Sequence, residues 1–422
     1  MDRHLPNAVS RIKMAVRARP SGLARSLVLM LWVCLAMSLS GCTTSTSWNV
    51  LSDHAALPAD TILAVYASRQ SHDSSMSGYV LLFDSHGKVS AVKTSGMNIA
   101  DLVWDEQGLF FSDTNQDYLM TDTGMKTWDS PKTNVQESAY ITPDGIHVSM
   151  YNLGFGDVGA EMGYIEQIVE TSQDDVTRYD VAGFATMTAQ CGSRIFSISE
   201  VVEPYTSLAE QAGATRRDSP APYWPDMLTQ VYPKPATVAD GFKGVNLTSY
   251  GGFAHGSVCR DDQILAITGG QNETPRIVTW PVYSGNPVQH EITGPNNEQL
   301  ALDAQIAGFG RIAQWSQSTD ELVWYGGDGL VRSTNIDTGR TTTIWDSGTP
   351  QIQSTPAGIT FNESKLYILD SDERWSPNRE MRLRVHDLAT GITVEVFRTR
   401  IGYEQRDPTL VLRGMATPPG GR

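Results

Sequence analysis

The chain has 422 residues, a formal net charge of −15 and 19% charged residues. Beyond Gly41 it keeps 26 of its 32 Lys and Arg but 46 of its 47 Asp and Glu, a balance of 26 − 46 = −20. An acidic surface of this kind repels phosphate backbones and anionic lipid heads, which excludes nucleic acid and a polybasic membrane patch.

In chain order, the first element is a leader. Arg3, Arg11, Lys13, Arg17, Arg19 and Arg25 form a positive stretch, and Leu27 to Leu39 is apolar. That run of 13 residues is short of the ~20 that span a bilayer. Small residues follow, in Leu39-Ser40-Gly41-Cys42. The layout is that of an export signal, and without a twin arginine it suits a Sec route. The last four residues resemble the lipobox of bacterial lipoproteins. The resemblance implies removal of residues 1–41 and acylation, palmitate included, at Cys42. It implies a lipid anchor on the extracytoplasmic face of the cell membrane. The other reading is a plain N-terminal anchor with an incidental cysteine. Residues 42–60 then form a tether; flexible, Thr43 to Asp60 reaches roughly 20–25 Å.

Of four cysteines, Cys34 lies in the leader and Cys42 is the lipid site. Cys191 and Cys259 remain, as a disulfide of an exported protein or as two buried free thiols.

After Cys42 the chain reads as short β-rich runs broken by turns, and a two-hairpin unit recurs roughly every 50 residues. One hairpin closes on Asp/Asn and Gly. It is seen at Tyr79 to Ser90 around Gly87, at Thr334 to Trp345 around Gly339 and at Arg384 to Val396 around Gly391. Weaker copies centre on Asp122 to Gly124, Gln173 to Asp175, Pro233 to Pro235 and Ser284 to Asn286. The second hairpin recurs at Asp101 to Ser112, Ser138 to Ser149, Phe184 to Ile198, Phe253 to Ile267, Ile312 to Tyr325 and Ile359 to Leu369. Together they give strands A to D of a β-propeller blade. Seven outer C–D hairpins face six complete A–B hairpins. The orphan strand at Thr409 to Arg413 therefore pairs with Thr61 to Tyr66 in a shared closing blade. The expected fold is all-β, a seven-bladed propeller over residues 61–415 with an insertion at about 200–226 and a disordered tail, 416–422. Six or eight blades stay open, because the repeat is degenerate between Thr171 and Gly251. So does an irregular β-sandwich pair.

The architecture resembles WD40-like, PQQ-like and TolB-like propellers. Trp104-Asp105, Trp128-Asp129 and Trp345-Asp346 are not WD40 signatures, since the last two end strand D and the Gly-His pair is missing. In this strand order B–C and D–A connections share one face. Several B–C connections are long: Ser68 to Gly78, Asn152 to Gly163, Glu200 to Asp226 and Ser371 to Glu380. Long loops carry function, and aromatic and arginine side chains anchor binding surfaces. The expected binding face bears Tyr205, Tyr223, Trp224, Arg374 and Trp375, unless these rings only pin the insertion onto its blade. Cys191 and Cys259 hold matching places in neighbouring units, so a disulfide would staple two blades beside the insertion.

No HExxH, GxSxG or Walker loop occurs, and the histidines are scattered. Asp113 to Asp117 opens like a calcium loop but has Tyr118 where glycine is needed. Asp122 to Trp128 is one residue too long for a sialidase Asp-box. Asp370 and Asp372 suit acid/base chemistry but fit solvated loops better. No catalytic residue, metal or cofactor is expected. The function expected is that of a non-enzymatic, monomeric binding or scaffold propeller for an envelope protein or a cell-wall glycan. The alternative is a glycan-active hydrolase or lyase on the same face.

Overall fold

The structure is a computed structural model, and it describes residues 48–69, 77–158, 161–216, 224–247, 257–268, 275–283, 286–300, 313–316, 320–326, 328–348, 358–371, 380–400 and 410–420. The leader, Cys42, Tyr223, Arg374, Trp375 and Asp372 lie outside the described residues.

Seven sheets form a β-propeller of four-stranded blades. Blade one holds β2 (Thr61–Arg69), β3 (Gly78–Asp84) and β4 (Val89–Thr94). Its innermost strand is β29 (Leu410–Ala416), which pairs antiparallel with β2 from Ala64↔Ala416 to Arg69↔Leu410 and closes the ring as the hairpin count requires. Gly414 permits this closure, since a Cβ there would stand 2.7 Å from the Ala100 carbonyl oxygen. Blade two is β5 (Val103–Asp105), β6 (Gly108–Ser112), β7 (Gln116–Thr121) and β8 (Gly124–Asp129). Blade three is β9 (Gln136–Ile141), β10 (His147–Val158), β11 (Glu161–Thr171) and β12 (Val176–Ala182). Blade four is β13 (Ala185–Cys191), β14 (Arg194–Glu200), β15 (Asp226–Tyr232) and β16 (Phe242–Asn246). Blade five is β17 (Ser257–Arg260), β18 (Gln263–Thr268), β19 (Arg276–Pro281) and β20 (Val288–Glu291). Blade six is β21 (Ala313–Ser316), β22 (Glu321–Tyr325), β23 (Leu330–Asn335) and β24 (Thr341–Asp346). Blade seven is β25 (Gly358–Asn362), β26 (Lys365–Ser371), β27 (Glu380–Asp387) and β28 (Thr393–Arg400).

Local chemistry sets the C–D turns. Asp84 Oδ1 accepts the His86 and Lys88 amides, Asn335 Oδ1 that of Thr338, and Asp387 Oδ1 those of Ala389 and Thr390. Gly87, Gly339 and Gly391 then take φ of 76°, 72° and 70°, which a side chain resists. Blades pack face to face through apolar layers. Leu63, Leu81 and Phe83 of blade one meet Leu369, Leu383 and Phe397 of blade seven, with the Phe83 and Phe397 rings stacked 5.5 Å apart. Corresponding layers join blades four and five, five and six, and six and seven.

Three regions differ from the sequence reading. The stretch expected as a free tether is fastened from Trp48 onward. There β1 (Asn49–Val50) lies parallel along the outer edge of β4, Leu51 N–H donates to Ala91 O at 2.8 Å, and Leu57 N–H to Thr121 O at 2.7 Å. Leu51, Ala55 and Leu57 pack on the core between blades one and two, which gives this segment the apolar burial that a linker lacks. At the other end Thr417 is buried, and Asn362 Nδ2 donates to its hydroxyl and to Pro418 O at 2.9 and 2.7 Å. Finally, the stretch expected as a loop from Asn152 to Gly163 is, over 152–158 and 161–163, the upper half of a long hairpin. β10 and β11 stay paired out to Val158↔Glu161, bending at a bulge where Gly154 (φ 84°) follows Asn152. Cross-strand pairing overrides the turn preference of Gly154, Gly156 and Gly163.

Candidate functional site

Of the expected binding face, the described residues Tyr205 and Trp224 lie on blade four, at its junction with blade three. The insertion between β14 and β15 leaves and returns through a backbone bond, Val201 N–H to Pro225 O at 3.2 Å, and carries one short helix, α1 (Thr206–Gln211). Tyr205 precedes α1 and is buried against Val201, Ala209, Ala214, Met227 and Val245. Its ring stacks 6.4 Å from that of Phe242, and burial raises its phenol pKa. Trp224 packs partly buried on the same cluster, and its amide donates to Glu200 Oε1 at 2.7 Å. The structure thus brings Tyr205 and Trp224 together in a small core that fixes the insertion to its blade. It leaves one side of Tyr205 lining a groove.

That groove, of about 520 Å³, runs between β12 and blade four, within the roughly 300–1,000 Å³ usual for ligand sites. One wall is Tyr179, Asp180, Val181 and Ala182, with Asp157 and Ile165 above them. The other is Pro204 and Tyr205 of the insertion, then the connection Lys234 to Val238 that leads into α2 (Val238–Gly241). Thr237 caps α2 by accepting the Asp240 amide. Tyr179 is held by its hydroxyl, which donates to Val231 O at 2.7 Å, and Lys234 Nζ stands 5.0 Å from its ring centroid. Asp157 and Asp180 are exposed at the rim.

Beneath the hairpin lies a polar cluster that no motif announces. Asn152 Nδ2 donates to Glu137 Oε1 at 2.9 Å, and Thr133 Oγ1 donates to Asn152 O at 2.8 Å. Glu166, opposite Asn152 in the ladder and 1% exposed, accepts the Ala185 amide on Oε1. Its Oε2 has no hydrogen-bond partner among the described residues. Burial, then the charge of Glu137, pushes the Glu166 carboxyl up to about 8. Burial also raises Glu137. The only sequence signal for Glu166 is its place in phase with buried Ile168 on one face of a strand. Above the cluster Phe155, Tyr164 and Phe184 form an aromatic row, with centroids 3.9 and 5.1 Å apart and Phe155 65% exposed.

Among the described residues, the carboxylates singled out in the sequence, Asp370, Asp113 and Asp117, are already occupied. Both Asp370 oxygens are clamped, by Arg382 Nε at 2.6 Å and Arg384 Nη2 at 2.5 Å, so the acid/base candidate of the sequence is an ion-pair hub. Asp113 accepts the Ser95, Asn115 and Gln116 amides and the Tyr118 hydroxyl. Asp117 accepts Ser112 and Thr171 hydroxyls and buried Lys132 at 2.9 Å. These protein donors take the carboxylate lone pairs that a bound calcium would need. Cys191 and Cys259 are joined as a disulfide with Cα atoms 5.2 Å apart, stapling β13 to β17 across the blade four–five boundary.

Among known families, the model described as YycP, beta-propeller domain, matches residues 57–210, under half of the chain. No curated protein matches. Among solved structures, Sqt1 of Chaetomium thermophilum is 12% identical over 82% of this chain and 89% of that one, with a TM-score of 0.45. Apo AztD of Citrobacter koseri is 9% identical over 84% and 97%, with a TM-score of 0.41. The C-terminal WD40 domain of Sif2 is 12% identical over 86% and 91%, with a TM-score of 0.42.

Proposed function

We propose that this chain is a lipid-anchored, extracytoplasmic lipoprotein whose propeller is a non-enzymatic binding or scaffold module for an envelope protein or a cell-wall glycan. The observation that carries the binding half is the open groove beside the insertion, with apolar walls and charged rim. It stands against Asp370, Asp113 and Asp117, which are saturated by their own neighbours. The anchoring half rests on the lipobox-like Leu39 to Cys42. Cys42→Ala should abolish metabolic labelling with palmitate and release the protein or its precursor from membranes; labelling that persists removes the anchor. Affinity purification from detergent-solubilised envelope should yield a stoichiometric partner, or a glycan array a specific ligand.

A glycan-active hydrolase or lyase is the second reading, and one feature favours it: Glu166 stays protonated to about pH 8 beside Glu137, as a general acid must. Against it, Glu166 is 1% exposed and out of reach of a substrate. Turnover on a glycan panel that disappears in Glu137→Gln would favour this reading.

A further inference from the structure

We propose that the outer edge of β12 binds an extended peptide by strand addition, with basic residues facing Asp180 and Asp157 and apolar residues facing Val181 and Tyr205. The inference deepens the binding reading by naming a partner chemistry, and it is independent of the lipid anchor.

The phase of the β11–β12 ladder is fixed at both ends. Gly183 N–H donates to Tyr164 O and Ser172 N–H to Asp175 O, both at 2.9 Å. The register runs unbroken between them, from Ile165↔Ala182 to Thr171↔Val176. In an antiparallel pair, hydrogen-bonded and non-hydrogen-bonded pairs alternate. The bonded pairs are therefore Glu166/Val181, Ile168/Tyr179 and Glu170/Thr177. The N–H and C=O groups of Arg178, Asp180 and Ala182 point away from β11, toward the open side. Among the described residues no hydrogen bond occupies them. A row of such groups is a template for another strand.

The groove gives that strand a bed. Four consecutive residues of β12 line it, which happens only where space wraps around a strand edge. The wall opposite, Pro204, Tyr205 and Lys234 to Val238, belongs to blade four, so an incoming strand would be held on two sides. The propeller already accepts such an addition at blade one, where β1 pairs with the outer edge of β4.

Charge selects the occupant. Asp180 and Asp157 are exposed, and neither forms an ion pair among the described residues. The two cations nearby keep their charge but direct it to neutral partners, not to either carboxylate. Arg178 Nη2 donates to Asp129 O at 3.2 Å, and Lys234 sits on the Tyr179 ring. A residue paired opposite Asp180 shares its face, where a cation is favoured and an anion opposed. Its two neighbours fall on the face of Tyr179 and Val181, which is apolar. The matching pattern is apolar–basic–apolar.

The test uses the full chain in detergent and two fluorescein-labelled heptapeptides, one alternating Val and Lys and one alternating Val and Glu, read by fluorescence anisotropy. The Val/Lys peptide should bind at least tenfold tighter than the Val/Glu peptide. Ala182→Pro removes an outward N–H that β11 does not use, and should weaken Val/Lys binding at least tenfold. Asp180→Lys, an exposed change that carries the test alone if the proline variant melts lower, should invert the preference. Absence of Val/Lys binding, equal binding to Ala182→Pro with unchanged melting, or an unaltered preference in Asp180→Lys overturns the proposal. An envelope partner that copurifies with a peptide-inert groove also overturns it, and leaves the broader binding reading standing.

Discussion

Replacing Glu166 by glutamine removes a titrating carboxyl from the middle of blade three while keeping its shape and its acceptor for the Ala185 amide. In the folded chain burial and the Glu137 charge hold this carboxyl up to about 8, against 4.5 for an ordinary glutamate. The folded protein therefore binds more protons than the unfolded chain between those values, and stability falls as pH rises through the window. The full span, 8 − 4.5, amounts to about 5 kcal/mol at about 1.4 kcal/mol per unit, and about 3 kcal/mol is lost by pH 7. At the unfolding entropy of a domain this size, that is about 4 °C in Tm. Thermal melting by circular dichroism from pH 4.5 to 8.5 reads it. His147, which burial lowers to about 4, contributes stability above pH 6.5 that is lost on acidification, in parent and variant alike. The two slopes nearly cancel between about pH 4.5 and 6.5, so the parent should be level there and decline from about pH 6.5 to 8, while the variant should rise to about pH 6.5 and then stay level. Glu166→Gln should lose the alkaline decline and keep the acid one. The glutamine leaves a donor where Oε2 stood, which costs about 1–3 kcal/mol at every pH; the slope, not the level, is the readout. Parallel alkaline slopes in parent and variant would refute the reasoning.

Reducing the Cys191–Cys259 bond, which spans 68 residues, should lower stability by about 4 kcal/mol through loop entropy; melting with and without reductant checks this, alongside a mass shift on thiol alkylation. Lys132→Met strands Asp117 with only the Ser112 and Thr171 hydroxyls and should cost about 3–5 kcal/mol, seen as a lower urea midpoint. Gly414→Ala places a Cβ 2.7 Å from the Ala100 carbonyl oxygen and should loosen the closing strand by about 1–3 kcal/mol, with faster amide exchange along β29 and β2.

Blade architecture was legible because its signals are local and repeated. Asp84 with Gly87, Asn335 with Gly339 and Asp387 with Gly391 mark turns whose hydrogen bonds span only a few residues. The closing strand was legible from stoichiometry, since six inner hairpins and seven outer ones leave a single strand over. What escaped depends on contacts distant in sequence. β1 is a two-residue strand paired with residues 41 positions away, Asn49↔Ser90 and Val50↔Ala91, and nothing in Asn49-Val50 records its partner. The hairpin beyond Asn152 is built from residues that favour turns, and only pairing with β11 extends it. Tyr205 and Trp224 were picked by composition, together with Tyr223, Arg374 and Trp375. That composition does not say whether a ring faces solvent or its own blade; the burial of Tyr205 comes from Val201, Met227 and Val245 beneath it. Glu166 was invisible because one acidic residue in an alternating strand looks like a surface position.

Among the described residues, several elaborations share one junction. The long hairpin, the insertion, the half-satisfied Glu166 and the groove all lie on blades three and four, and the disulfide ties blade four to blade five. Interfaces farther round carry apolar layers, with the ion-paired Asp370 and Asp117 as buried charges. A closed ring makes this tolerable. Each blade is held by two neighbours, so one junction can carry a buried carboxyl and an open groove while the other contacts keep the circle shut. The disulfide, expected beside the insertion, instead bridges inner strands at the opposite end of blade four, since Cys191 pairs with Arg194 at the A–B turn while the insertion leaves after Glu200 beside Ala185. A junction maintained against the cost of a buried carboxyl is where binding chemistry is expected on physical grounds. Among the described residues, the β12 edge, with its outward backbone groups and exposed Asp180, is where the proposed strand would add.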